Sequence, residues 1–217
     1  MRKGKRSDLT AYARIRNSAL RLFGERGVAA PSIRAVAKAA GVSPGLVQHY
    51  FRSKRALEAA VSAYVEQMME GLARAQPQPG AKPGVLTLGP AVVAFIRDHP
   101  QVIAYLRRML LQDGAGGRRL FDSIFDLSCA LNRSLERGGL LRRGLDPVWT
   151  PLNSMILVLG PLLLEPAINR YLDHPLRTEA GLARWDAAIE DLYLHGTYRK
   201  SSARKPPSRR LPGDHSF

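Results

Sequence analysis

One stretch, Ser32 to Lys54 (SIRAVAKAAGVSPGLVQHYFRSK), limits what this chain can fold into more than any other. A serine stands before an apolar-periodic run, where its oxygen accepts hydrogen bonds from the free amides of a first helical turn. Ile33, Val36, Ala37 and Ala40 then share one helical face, and Arg34 and Lys38 share the other. Gly41 ends the run, because glycine enters the left-handed conformation without steric cost. Val42 plugs the corner. Ser43 repeats the cap, with Pro44 at the first helical position, where a missing N–H costs nothing. Leu46, Val47 and Tyr50 or Phe51 form an inward face. Gln48 and His49 stay outside with Ser43, Pro44 and Gly45. This spacing predicts two short helices across a glycine corner, a helix-turn-helix, whose second helix enters the DNA major groove.

The flanks supply what so small a unit lacks. Two short helices alone bury too little apolar surface to fold. Upstream, Ala13 to Arg26 carries Ile15, Ala19, Leu22 and Phe23 at helical spacing, and Gly27 closes it. Downstream, Ser53 caps a long amphipathic helix through Ala56, Leu57, Ala60, Val61, Tyr64, Val65 and Met68.

The segments IRNSALRLFGERG and PSIRAVAKAAGVSPGLVQHYFRSKRAL, over roughly residues 10 to 65, resemble the DNA-binding domain of the tetracycline-repressor (TetR) family. LF-x-x-x-G, AxxAGVSxG and YFxSK occur in the family's order. The resemblance implies a three-helix DNA-binding head, a fourth helix as connector, and a ligand-binding body that dimerises through its last two helices as a four-helix bundle. The chain departs from the family at Gln48, where the family usually has a tyrosine that contacts DNA. That bears on base preference and on one phosphate contact.

The expected DNA contacts are Ser32, Arg34, Ser43, Pro44, Gly45, Gln48, His49, Tyr50 and Lys54. Gln48 has the donor and acceptor to pair bidentately with adenine. Gly45 lets the backbone approach closely. Arg34, His49, Tyr50 and Lys54 are placed for phosphates, as are the amides at Ser32 and Ser43.

The net charge of +15 over 217 residues attracts polyanions. Arg2, Lys3, Lys5 and Arg6 form a basic arm before the first helix, residues 1–9, of the kind that reaches a minor groove or phosphates. At the other end, residues 199–217 are rich in Arg, Lys, Ser and Pro, and are expected to be a disordered basic tail. Cys129 is the one cysteine, so no intramolecular disulfide forms, which suits a reducing cytoplasm. The first residues lack the apolar core of a secretory signal. Met155 to Leu164 is the longest apolar run, well short of the about 20 residues a bilayer needs. A cytoplasmic protein with no membrane partner is expected.

The reading is therefore all-α. Residues 10–53 form the helix-turn-helix domain, residues 54–75 the connector helix, and residues 76–198 a helical ligand-binding and dimerisation domain. The Pro/Gly-rich segment Gln76 to Gly84 marks the boundary. Helical patterns cover Leu88–Asp98, Val102–Gln112, Arg118–Arg137, a run from Asp146 and Pro147 toward Leu172, and Glu179 to about His195. Gly160 and Pro161 predict a kink in the fourth of these. Its run Met155 to Leu164 is apolar all round and needs cover, so a homodimer through the last two helices is expected.

No catalytic pattern is present. Gly114-Ala115-Gly116-Gly117 lacks the strand before it and the Gly-Lys-Ser/Thr after it that a phosphate cradle requires. His99, His174 and His195 show no metal-ligand spacing. No enzyme activity, metal or cofactor is expected. Tyr105, Met109, Phe121, Phe125, Cys129, Asn132, Trp149, Asn153 and Ile156 are candidate walls of a pocket between helices, for an apolar or amphipathic effector. Together these features indicate a sequence-specific, ligand-responsive, homodimeric transcriptional repressor on an inverted-repeat operator. The alternative is a helical protein that binds nucleic acid without sequence preference, in a structural or packaging role.

Overall fold

The structure is a computed structural model that describes residues 2–74, 89–112, 114–139, 141 and 144–195. Every regular element among them is helical. In chain order they are α1 (Arg2–Arg26), α2 (Ile33–Ala40), α3 (Pro44–Tyr50), α4 (Lys54–Arg74), α5 (Gly89–Asp98), α6 (Pro100–Leu111), α7 (Ala115–Arg137), α8 (Trp149–Leu163), α9 (Glu165–Ile168) with a 3-10 turn (Asn169–Tyr171), and α10 (Glu179–His195). The Pro/Gly-rich segment from Gln76 to Gly84 and the basic tail lie outside the described residues.

Local chemistry sets the boundaries. Ser32, Ser43 and Ser53 each accept an amide three residues on, at 3.1, 3.2 and 3.1 Å, and so open α2, α3 and α4. Gly41 sits at φ 63°, and the amides of Val42 and Gly41 reach back to the carbonyls of Ala37 and Lys38. This is a Schellman closure, and it turns the chain sharply from α2 into α3. Asp146 does open the next element: its Oδ1 accepts from Trp149 at 2.7 Å and Val148 at 2.9 Å. Those bonds hold its carboxyl below the usual carboxylate range.

Three boundaries differ from the sequence reading, one of them at α7, which begins at Ala115 rather than Arg118 and so takes Gly116 and Gly117 into the helix. The first helix starts at Arg2, so the basic residues expected in an arm lie in its opening turns. Ser7, Asp8 and Thr10 offer caps in Arg2 to Ala13, but no proline stands there to stop the helix from continuing. The kink expected at Gly160–Pro161 falls slightly later. α8 runs through Pro161 to Leu163, and the chain then bends by 68° into α9 and its 3-10 turn. The amide of Leu164 still reaches the carbonyl of Gly160 at 3.0 Å, so the helix closes one turn beyond the proline. No single helix among the described residues is long and apolar enough to cross a membrane.

The core is continuous from head to body. Ile15, Ala19 and Phe23 of α1 are fully buried, as are Val36, Val47, Leu57, Val61 and Val65 of α2 to α4. α1 packs on α2, α4 and α6, and α6 carries Ile103, Tyr105 and Leu106 into the same core. The α1–α6 contact is close because Gly24 has no side chain. A Cβ there would lie 3.0 Å from the Tyr105 backbone nitrogen and 3.2 Å from the Ala104 carbonyl carbon. The Tyr105 hydroxyl meets Ser62 of α4 at 3.0 Å, and burial pushes that hydroxyl's pKa up. Gly24→Leu must therefore force backbone apart. The expected outcome is a loss of about 1–3 kcal/mol of unfolding free energy in denaturant titrations. An unchanged midpoint would show that α1 and α6 do not approach this closely.

Candidate nucleic-acid interface

The second helix of the pair is held from beneath and left bare above. Val47 is fully buried and Phe51 is 3% exposed, which fixes α3 by its inner face. Tyr12 of α1 lies 4.9 Å from the Phe51 ring and 6.0 Å from the Tyr50 ring, the latter edge-on. Ser43, Pro44, Gly45, Gln48 and His49 are all exposed. They line one outward ridge, as the spacing predicts. Tyr50 is half-buried, with its ring edge-on to His49 at 5.3 Å.

Gly45 is not required by the fold. The nearest atom to a Cβ built there is Ser43 Oγ, at 4.0 Å. A glycine inside a helix weakens it, so its small size is useful only to something outside the chain.

The helix beside α3 contributes Ser32 and Arg34, both exposed. Lys54 is placed differently from a free phosphate contact. It is half-buried, and its ammonium donates to the carbonyl of Ala29 in the α1–α2 loop. That bond ties the start of the connector to the head and leaves two of the three ammonium protons for other acceptors.

Sequence reasoning missed Arg14. Its guanidinium donates to the carbonyls of Ala40, at 2.5 Å, and Gly41, at 3.2 Å, and so caps the end of α2 from the side of α1. The positively charged group also opposes the negative end of the α2 dipole. Arg16 was missed as well: it lies over the Tyr64 ring at 3.4 Å and clamps α1 to α4. Neither contact leaves a signal in spacing, since each joins residues that are far apart in sequence.

The electrostatics of this face are one-sided. The chain has no acidic residue between Arg26 and Leu57, whereas Arg34, Lys38, Arg52 and Arg55 are exposed there. A bare helix with polar and glycine edges, set on a cationic surface, has the chemistry to meet base edges and phosphates together.

Residues 15–61 match the family model described as bacterial regulatory proteins, tetR family. Over 141 residues, 65% of the chain, the sequence is 33% identical to the HTH-type transcriptional regulatory protein RaaS of Mycobacterium tuberculosis. The chain spans 64% of that relative's length.

Residues 15–61 carry the tetR-family domain.

Solved structures extend the likeness of fold to the body. The transcriptional regulator FadR from Bacillus subtilis aligns at TM-score 0.65 and 13% identity, over 86% of this chain and all of that one. PfmR from Thermus thermophilus aligns at 0.60 and 22% identity, over 86% and 96%.

In the helical body the nine candidate pocket residues differ in exposure. Tyr105, Met109 and Asn132 are buried, the last donating to the Ser128 carbonyl at 2.9 Å. Phe125 and Cys129 are half-buried, and Phe121, Trp149, Asn153 and Ile156 are exposed. None of the nine lines the cleft described below. Periodicity places residues on a helix face; it does not say which face meets a void.

Two substitutions separate scaffold from surface. Ser43→Ala is expected to lower stability by about 0.5–2 kcal/mol through loss of the cap. Gly45→Ala is expected to raise it by about 0.5–1 kcal/mol, because its side chain meets open space. Denaturant titration of both variants reads the difference; a destabilising Gly45→Ala would mean the glycine serves the fold.

Proposed function

We propose that this chain is a homodimeric, ligand-responsive transcriptional repressor that binds an inverted-repeat DNA operator from the cytoplasm. The observation that carries the reading is the exposed ridge Ser43–His49 on the fully buried Val47, in a field with no acidic residue. A helix presented this way reads base edges through Gln48, and Gly45 admits the sugar-phosphate backbone. Arg34 and the capped amides at Ser32 and Ser43 hold phosphates and set register. Lys54 positions the connector and shares its remaining protons with phosphate.

The dimer reading rests on the outer face of α8. Pro151, Met155, Leu159 and Leu162 are buried within the chain, while Trp149, Asn153, Ile156 and Leu164 emerge on the opposite side. Trp149, Ile156 and Leu164 are each at least half exposed, at 58%, 50% and 58%. A row of large apolar side chains at helical spacing marks an interface. Leu192 of α10 is a further exposed apolar side chain. Two-fold symmetry then sets two recognition helices in successive major grooves, about 34–36 Å apart or somewhat more.

Effector binding in the body acts through α4 and α6, which both touch α1. It shifts the separation of the two heads, by as much as the effector's affinity differs between the two arrangements. Relatives in fold support an apolar or amphipathic effector: the FadR structure is a complex with stearoyl-CoA, and SmeT was solved with triclosan.

Selection of bound duplexes from a random pool tests the reading. The expected result is an inverted repeat, bound at least about a thousandfold more tightly than random duplex. Recovery of sequences with no common motif would leave only charge-driven, non-specific binding. Gln48→Ala is expected to change the selected bases. Arg34→Ala is expected to weaken all sites alike and to reduce the salt slope by about one. Ile156→Glu is expected to convert the dimer to monomer in sedimentation at micromolar concentration; an unchanged mass would move the interface elsewhere.

A further inference from the structure

A cleft of about 210 Å3 opens between the end of α8, the α9 segment and α10. Pro161, Ile168, Leu172, Leu176, Trp185 and Ala188 are among its walls. Two backbone features create it. The 68° bend after α8 turns α9 away from the line of the helix, so α9 does not fill the space. Gly181 lets the preceding loop lie directly on α10: a Cβ there would sit 2.2 Å from the Pro175 carbonyl oxygen and 2.8 Å from that of Leu176. Leu176, 2% exposed, becomes the floor, and Trp185 stands one turn further along α10.

Polar side chains enter the lining only as His174 and Arg184. Arg184 is turned onto Asp173, with Nη1 to Oδ2 at 3.2 Å. An ionised ligand would lose hydration against apolar walls and would meet only a guanidinium that already faces a carboxylate. Size narrows the class further. An apolar cavity of about 150 Å3 accepts benzene, so this one accommodates a ring carrying two or three more carbons. We infer that the cleft binds a compact, uncharged hydrophobic molecule, such as an alkyl-substituted benzene, with its ring against Trp185.

The inference deepens the regulator reading and rests on it for its consequence, because the cleft adjoins a charged joint. Glu165, the first residue of α9, is 7% exposed. Its Oε1 accepts from Arg177 Nε at 2.7 Å, and its Oε2 faces Arg107 Nη1 at 3.6 Å. Arg177 directly follows the floor residue Leu176. Arg107 belongs to α6, which packs on α1 and reaches α4 through Tyr105 and Ser62. A ligand that lifts Leu176 moves Arg177 and so loads the carboxylate that also holds α6. A buried charge deprived of one partner is poorly tolerated, so the joint moves as a unit. The cleft thus reports to the head along α6.

The chain has two tryptophans, so Trp149→Phe leaves Trp185 as the sole tryptophan, read by excitation that tyrosine does not absorb. Titration of this full-length variant with ethylbenzene is expected to give a saturable change in Trp185 emission, and Ala188→Phe, which fills the cleft, is expected to abolish it. The fluorine resonance of 4-fluoroethylbenzene is expected to broaden with the unmodified chain and to sharpen again with excess ethylbenzene, a readout that needs no filled variant to fold. A non-saturable emission change with a sharp fluorine line overturns the site. A response seen only below the concentration at which a dimer dissociates assigns the cleft to a second copy and likewise overturns it. Saturating ethylbenzene is expected to weaken binding to the selected duplex at least threefold, and Glu165→Gln is expected to remove that effect while Trp185 still responds. Unchanged DNA affinity with a saturable Trp185 response overturns the coupling alone. If no duplex is selected at all, the regulator reading fails, and the emission titration still decides the site.

Discussion

Burial of one face of α1 is the constraint on which the rest depends. Ile15, Ala19 and Phe23 lie wholly inside, and the same helix touches α2, α4 and α6. Ile15 and Phe23 each contribute about 1.5–3 kcal/mol by leaving water. The head has no separate core that would let it rotate freely on the body. Arg14 and Arg16 extend this role into polar contacts: one holds the end of α2, the other holds α4. Gly24 sets the distance to α6. A movement of α6 is therefore felt by every element that positions α3.

That arrangement explains how so short a helix presents a surface. α3 has seven residues, too few to be stable alone. Ser43 caps it, Val47 anchors it, and the Tyr12–Phe51 contact closes its end. Gly45 and Gln48 on its outer side are then free of structural duty. The stretch from Arg26 to Leu57 has basic but no acidic residues, which favours a polyanion before any base is read. Dimer symmetry, effector chemistry and operator form build on this platform, and they are proposals of function rather than features of the fold.

The head was almost wholly legible in the sequence because its signals are local. Serine caps, the Gly41 corner and apolar residues three and four apart are all read within a few residues, and the α2, α3 and α10 limits followed from them. The family resemblance rested on the same segment. What escaped was non-local. Arg14 meets Ala40 across 26 residues, and Glu165 meets Arg107 from another helix. The start of α1 was misplaced because a basic, poorly apolar stretch reads as an arm, although nothing in it stops a helix that is already propagating. The nine candidate pocket residues follow from helical periodicity on α6 to α8, with Asn132 and Asn153 as polar groups among apolar ones. The cleft depends instead on a bend after Pro161 and on the bare Gly181, and on where these leave Leu176 and Trp185. Voids arise from what backbone geometry fails to fill, which a hydrophobic pattern does not encode.

The central claim is that the outer ridge of α3 is the surface that meets DNA. Backbone amide shifts of the labelled full-length chain, recorded as a selected duplex is added, test it most directly. The largest changes are expected on Ser43 to Tyr50 and the first turn of α2, with small changes over α7 to α10. Changes concentrated on the body, with the α3 amides unmoved, would contradict it.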